Sequence, residues 1–392
     1  MNSIFSDRMN DVPQSFIREI LKVAVDPSII SFAGGLPNPD LFPVDEIKTA
    51  TQSVLENYGV DALQYSNTEG FAPLREFISR RYKEKQGLDI PIKNILITTG
   101  SQQGLDLLGK VIINENDDLI IEEPGYLGAI QAFSVYRARF RPVPVDESGM
   151  DCDVLKDTIK QYNPKLMYTV PSFQNPSGIT YTSENRQRVA DIIKGTRTFL
   201  IEDNPYGDLR FEGSPKSSFA SLIPDNTILL GSFSKTIVPA FRLGWVVAPD
   251  HIMEKMVIAK QAADLHSNYF AQRVIHQYLM DFDLDDHVKN IVKLYRSQKQ
   301  AMISSIQANF PDDVKYTNPE GGMFLWASLP NNCFAMDLFN EAIKEKVAFV
   351  PGDPFYVDGK KTNTFRLNYT SADEATIDEG IKRLAKVIKE FK

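Results

Sequence analysis

Ser232-Phe-Ser-Lys-Thr-Ile-Val-Pro-Ala-Phe-Arg-Leu-Gly-Trp245 places one lysine among small hydroxyl residues, with an arginine seven positions after it. A lysine amine attacks a carbonyl only when unprotonated, so a lysine kept beside a phosphate-bearing aldehyde can hold that aldehyde as a Schiff base. Lys235 is the candidate. Ser232 and Ser234 offer hydroxyl donors to phosphate oxygens, and Arg242 adds a planar two-pronged donor with a permanent positive charge. Taken alone, the segment reads equally as a solvated Ser/Lys loop whose arginine makes a surface pair. Its neighbours decide.

The lysine segment lies between two β-rich runs, Ile228–Gly231 and Gly244–Ala248, and five more precede it: Ile95–Thr99, Asp118–Glu122, Arg139–Val145, Leu166–Val170 and Phe199–Glu202. Helical runs separate most of them. The pattern predicts an α/β fold, a mainly parallel seven-stranded sheet with helices on both faces. Ligands of such sheets sit beyond the carboxyl ends of the strands, and five of these ends carry unusual polar residues. Gly100-Ser-Gln-Gln-Gly104 follows the first run and starts a helix, so the backbone N–H groups at Ser101 and Gln102 form a candidate phosphate cradle. Glu123-Pro-Gly-Tyr126 follows the second run, and Tyr126 can stack on a flat ligand. Pro171-Ser-Phe-Gln-Asn-Pro-Ser-Gly178 offers Asn175, and Asp203-Asn-Pro-Tyr206 offers a carboxylate able to hold a heteroaromatic nitrogen protonated, with Tyr206 beside it. Asn175 and Tyr206 can both donate to a phenolate oxygen. Each has an ordinary alternative: a helix entry, a turn asparagine, an Asp turn, a core tyrosine. Their recurrence in order at successive strand ends favours a site.

Upstream, Ser31-Phe-Ala-Gly-Gly-Leu-Pro-Asn-Pro-Asp-Leu-Phe-Pro43 has two glycines and three prolines in thirteen residues and reads as an irregular, backbone-exposing segment. Leu63-Gln-Tyr-Ser-Asn-Thr-Glu-Gly70 is a polar loop presenting Tyr65. Downstream, a long polar helix pattern over Asp285–Phe310 leads into β-like runs at 314–329 and 364–370 and a closing amphipathic helix, Glu374–Phe391. The expected organisation is therefore an N-terminal segment over the site (1–43), a large domain (44–284) and a smaller α+β domain (285–392). In a chain of 392 residues, 43% hydrophobic residues suffice for a substantial core. The net charge is −8, and no Lys/Arg cluster suits a nucleic-acid backbone. No run approaches ~18 apolar residues, so no membrane span is expected. Two distant cysteines, Cys152 and Cys333, sit in no metal-ligand spacing and fit a reducing cytoplasm.

The ordered set from Gly100 to Arg242 resembles the fold-type I pyridoxal-phosphate aminotransferases of class I/II, over a span from about Ser15 to the C-terminus. The spacing of Lys235 and Arg242, Pro239 between them, and the Ser31–Pro39 motif look most like the 2-aminoadipate/kynurenine aminotransferase branch. Ala240 departs from it, since that branch usually has glycine there. The resemblance implies pyridoxal 5′-phosphate as cofactor, with Ser101, Gln102, Ser232, Ser234 and Arg242 on its phosphate. It implies Tyr126 stacked on the ring, Asp203 on the pyridine nitrogen, Asn175 and Tyr206 on the phenolic oxygen, and Lys235 as catalytic lysine. It also implies a homodimer in which Tyr65 reaches the neighbouring subunit's phosphate. Arg366, in Phe365-Arg-Leu-Asn-Tyr369, and the Gly35 backbone would bind the substrate α-carboxylate, and Arg18 a distal one. The implied reaction is ping-pong transfer of an amino group from an L-amino acid (2-aminoadipate, glutamate, aromatic or aliphatic) to a 2-oxo acid such as 2-oxoglutarate.

Three alternatives stand beside it. The same cofactor supports β-elimination or decarboxylation. The branch also resembles the effector-sensing domain of certain transcription regulators, but too few residues precede Gly34-Gly35 for their winged-helix domain. A dinucleotide-dependent oxidoreductase would need a G-x-G-x-x-G after a strand, and there is none.

Overall fold

In the computed structural model, which describes residues 4–9, 12, 20, 26–330 and 332–391, the apolar runs form one eight-stranded sheet. After a short β1 (Ile30–Ser31), its strands are β2 (Ile95–Thr98), β3 (Asp118–Glu123), β4 (Arg139–Asp146), β5 (Gly149–Met150), β6 (Leu166–Thr169), β7 (Phe199–Asp203), β8 (Thr227–Ser232) and β9 (Gly244–Val247). Their order is β2-β9-β8-β7-β6-β3-β4-β5. From β4 through β3, β6 and β7 to β8 every pairing is parallel. All seven expected strands are present, and two details correct the expectation. The two-residue β5, too short to show a hydrophobic period, adds an eighth strand antiparallel to β4. And β9 runs antiparallel to both β8 and β2, because the eleven residues from Phe233 to Leu243 hold no crossover helix. A parallel return needs a dozen or more residues.

Alternation along the strands divides the core. Leu96, Leu119, Ile121, Leu166, Tyr168, Ile201, Ile228, Leu230 and Val246 face one side and pack on the helices Gly100–Ile112, Leu127–Ser134 and Asp250–Ala263. The intervening Ile95, Ile97, Leu229 and Val247 face the other side, against Val44–Ala62, Ala72–Gln86 and Tyr269–Asp281. Ile120, Met167 and Leu200 meet Cys152–Tyr162 and Ser183–Ile193 on that same side. With both faces covered, β2, β6 and β8 are buried at every residue, which is why their sequences are nearly unbroken apolar runs. Helix ends follow local chemistry: the Asp151 side chain accepts from Asp153 N and Val154 N, Thr182 accepts from Asn185 N, and left-handed Gly87 closes Ala72–Gln86.

The long helix Leu284–Asn309, of 26 residues and roughly 39 Å, leads into a second, antiparallel sheet. Its strands are β10 (Lys315–Tyr316), β11 (Phe324–Ser328), β13 (Val350–Pro351) and β14 (Thr364–Asn368), in the order β10-β11-β14-β13. A two-residue strand β12 (Val347–Ala348) pairs in parallel with β1, tying the segment before Gly34 to this part. The helix Ala335–Lys344 and the strands β12 and β13 were not separately expected. Buried residues of the two parts form one continuous cluster, from Leu119 through Tyr295 and Phe324 to Leu384.

Beneath the strand ends, Arg186 is 2% exposed and donates to Pro171 O (2.8 Å), Ser172 Oγ (2.9 Å) and Ser217 O (3.0 Å), 3.5 Å from the equally buried Glu202. Removing one partner of such a pair leaves an uncompensated buried charge, so Arg186→Ala should lose about 3–5 kcal/mol of stability. Arg188→Ala, whose exposed side chain meets Asp153 only at 3.8 Å, should lose next to nothing. Denaturant unfolding of the two variants checks the contrast.

Candidate active site

The carboxyl ends of β3, β6, β7 and β8 open on a cavity of about 400 Å³. The chain steps from β3 to β4 in one direction and from β6 to β8 in the other, and the ends on either side of this reversal are where open α/β sheets bind ligands. Ser101, Gln102, Tyr126, Asn175, Asp203, Tyr206, Ser232, Ser234, Lys235, Arg242, Gly35 and Arg366 all line it. Tyr65 does not: it is 79% exposed and sits edge-on to His266, with ring centroids 5.9 Å apart. Arg18 lies outside the described residues.

At one end, the helix Gly100–Ile112 begins at Gly100 with φ +72, where an added Cβ would lie 2.8 Å from Arg242 Nη2. A Cβ on Gly244 would lie 2.9 Å from Ser101 N. Glycine at these two places lets the guanidinium and the start of β9 close over the helix N-terminus. The reversed direction of β9 brings this about, since its amino end meets the same rim as the carboxyl ends of β2 and β8. The Arg242 guanidinium makes only long contacts, 3.5 Å to Ser234 Oγ and 3.4 Å to Pro239 O. Ser232 Oγ accepts from Ser234 N at 3.1 Å, and the Gln102 side chain donates to Gly128 O at 2.8 Å. A helix N-terminus, two serines and an arginine make an anion site.

In the middle stands Asp203, 2% exposed. Its Oδ2 accepts from Tyr168 OH at 2.8 Å, whereas its buried Oδ1 has no hydrogen-bond partner among the described residues. Burial raises its pKa to about 7; the Tyr168 bond opposes the rise and the charge of Glu122 adds to it. Tyr126 stacks on Tyr168 with centroids 6.3 Å apart and planes 26° apart.

Toward the second sheet, Lys235 Nζ donates to Gly35 O at 2.7 Å. Burial, then the charges of Arg366 and Arg242, lower its pKa to about 8, so the amine gives up its proton more readily than a solvent-exposed lysine. Arg366, on β14 and 2% exposed, donates from Nη1 to Asn175 Oδ1 and from Nη2 to Ala33 O, both at 2.8 Å, while its buried Nε has no partner among the described residues. Its Cζ lies 4.3 Å from the centre of the Phe324 ring. Burial lowers its pKa to about 10.

Tyr168, Val170, Leu36, Pro37 and Phe324 also line the cavity and were not expected. The run Leu166–Val170 held a signal for the first: its alternation puts residues 166, 168 and 170 on one face, and residue 168 carries a hydroxyl. Phe324 has no such local mark. Among the described residues, no cluster of His, Cys, Asp and Glu is placed to hold a metal. An anion site, an orphaned carboxylate oxygen beside an aromatic wall and a desolvated lysine fit a phosphorylated pyridine aldehyde.

The family model for aminotransferase class I and II matches residues 29–384. Aromatic-amino-acid aminotransferase 1 of Thermococcus litoralis is 40% identical over 392 residues, spanning 98% of this chain and 94% of its own. The 2-aminoadipate transaminase of Thermus thermophilus is 40% identical over 382 residues, spanning 96% of this chain and 94% of its own. The crystal structure of Pyrococcus horikoshii kynurenine aminotransferase, in complex with PMP, KYN as substrates and KYA as products, superposes with a TM-score of 0.95 at 41% identity, covering 99% of this chain and 97% of that one. These relatives disfavour the lyase and decarboxylase alternatives. The chain belongs to the class I and II aminotransferases and is a pyridoxal 5′-phosphate-dependent transferase of amino groups.

Proposed function

We propose that this cavity moves the α-amino group of an L-amino acid to a 2-oxo acid such as 2-oxoglutarate in two half-reactions sharing one site, with Lys235 as the proton carrier. The observation that carries the reading is the meeting of Asp203, with one unpartnered oxygen, Lys235 and Arg366 in a single cavity. When bound, the cofactor supplies a carbonyl carbon to receive the amino group and a ring that withdraws electrons from the substrate Cα. Ser101, Gln102, Ser232, Ser234 and Arg242 hold its phosphate, and Tyr126 covers the ring face. Asp203 Oδ1 accepts from the ring N–H and keeps that proton in place. Asn175 and Tyr206 donate to the phenolic oxygen. Arg366 takes the α-carboxylate with its planar fork, held flat by Phe324, with the Gly35 backbone beside it. Lys235, desolvated between two arginines, would take the proton from the substrate Cα at Nζ and hold it there for return.

The same reading divides the chain into residues 1–43 over the site, 44–284 holding the cofactor and 285–392 as the smaller α+β domain that brings Arg366. It makes the working unit a homodimer, in which the exposed Tyr65, flanked by exposed Val60 and Leu63, reaches the phosphate in the other subunit. The unpaired Cys152 and Cys333 are consistent with the cytoplasm. Arg18 meets the distal carboxylate of acidic donors.

Lys235→Ala should still bind the cofactor through the phosphate site and Asp203 but lose roughly 10²–10⁴-fold or more in transamination rate. Following 2-oxo acid formation alongside the cofactor's absorbance checks this, and unchanged turnover would remove Lys235 from its role. Arg366→Ala should raise KM for every amino donor about ten- to a hundred-fold, the ~1.5–3 kcal/mol of a charge-assisted hydrogen bond, with Arg366→Lys recovering only part. Arg18→Ala should raise KM for 2-aminoadipate and glutamate by a similar factor and leave aromatic donors unchanged. A donor screen reads both, and an equal loss across acidic and aromatic donors would take the distal carboxylate away from Arg18.

A further inference from the structure

Asp203 is held from one side only. Tyr168 stands on β6, beside the strand β7 that ends in Asp203, fully buried with its ring stacked on Tyr126. Its O–H donates to Oδ2 at 2.8 Å, and Oδ1 is left without a partner among the described residues. The titratable groups that act on Asp203 or feel its charge are Glu122 from β3, Tyr126 at the start of Leu127–Ser134, Tyr206 from the turn after β7 and Tyr82 from Ala72–Gln86, and the cations Lys235, Arg242 and Arg366 line the same cavity without a direct bond to it. Among the described residues no cation pairs with Asp203, and Glu122 repels its charge. One hydroxyl therefore opposes both desolvation and a neighbouring carboxylate. Tyr168 stays protonated under these conditions, since burial and the charge of Asp203 push its own pKa well above 10.0.

We propose that Tyr168 is a positioning residue that acts through Asp203: by fixing Oδ2 it presents Oδ1 to the ring nitrogen, and it holds the carboxylate in the charged form that leaves the shared proton on the ring. This rests on the reading that Asp203 meets the ring nitrogen. A carboxylate stripped of its one donor in this setting becomes the stronger base, so the proton moves from the ring to Asp203 and the ring withdraws electrons less well. The sign is fixed by the geometry. A donor to the charged form lowers the pKa of the carboxyl, and its loss raises it.

The test uses apoprotein and N-methylpyridoxal phosphate, whose ring is permanently cationic and carries no proton to share. Its affinity reports the charge of Asp203 directly, falling as pH drops through the carboxyl's pKa. For the wild type, affinity should fall with a midpoint near neutrality. For Tyr168→Phe, the midpoint should move up by about one to two pH units, the size expected for loss of a charge-assisted hydrogen bond. Asp203→Ala should bind the analogue weakly with no such dependence. A hydroxyl that only satisfies packing would change the melting temperature of Tyr168→Phe and leave the midpoint in place, and that result overturns the inference. If the wild type itself shows no dependence that Asp203→Ala abolishes, the placement of Asp203 at the ring nitrogen fails instead. Should Tyr168→Phe not fold, substituting fluorotyrosine for Tyr168 gives a stronger donor of the same shape, and the midpoint should move down; an unmoved midpoint there counts equally against the inference.

Discussion

Asp203, Lys235 and Arg366 share one low-dielectric cavity, and among the described residues none of them has a charge of opposite sign as a direct partner. Burying charge this way is costly, and proteins ordinarily avoid it by pairing. Here each group is supported by neutral partners: one phenol for the carboxylate, one carbonyl for the lysine, one carbonyl and one amide oxygen for the arginine. The consequences appear in all three, as a carboxyl pushed up to about 7, an amine pushed down to about 8 and a guanidinium pushed down to about 10. Groups held so far from their ordinary values, each with hydrogen-bonding capacity to spare, suit a ligand that carries a basic ring nitrogen, a carbonyl and a carboxylate.

The surrounding fold supplies the rigidity that such an arrangement requires. Glu122, also fully buried, is the counterexample to Asp203. Its Oε1 accepts from Thr169 Oγ1 (2.6 Å), Tyr181 OH (2.7 Å) and Val170 N (3.0 Å), and its Oε2 from Gln174 Nε2 (2.9 Å). Four neutral donors satisfy one carboxylate, and the bond to Gln174 ties β3 to the loop that carries Asn175. Gln174 in turn accepts from Ser177 N and Ser177 Oγ, closing that loop on itself. Arg186 fastens the same loop from below through Pro171 O and Ser172 Oγ. Asn175, which lines the cavity, therefore stands between two buried charges whose own bonds are internal.

Most of this was legible in sequence for a physical reason. Strands covered on both faces need unbroken apolar runs, so β2, β3, β6, β7 and β8 announced themselves, and a cavity at their carboxyl ends puts the polar residues directly after each run. Lys235, Asp203 and Asn175 were found that way. The short strands β5, β12 and β13 were not, because two residues carry no period. Tyr168 was hidden inside a strand whose other residues are core, and its hydrogen bond to Asp203 joins neighbouring strands 35 residues apart in sequence. Arg366 came from the family motif. Unaided, an arginine on a strand reads as a surface residue, and its burial against Phe324 and Phe355 depends on contacts between β14, β11 and the turn after β13.

The segment from Phe32 to Leu36 joins these two halves of the chemistry. Ala33 O accepts from Arg366 and Gly35 O from Lys235, so two residues apart one strip of backbone meets both cations. It is itself pinned by the C-terminal part of the chain: Phe32 N donates to Ala348 O of β12 at 2.8 Å, Asn368 N of β14 to Phe32 O at 2.9 Å, and Thr370 Oγ1 to Leu36 O at 3.2 Å. The backbone that meets Arg366 is therefore the backbone that meets Lys235, and the bonds at Phe32 and Leu36 hold both contacts in one register.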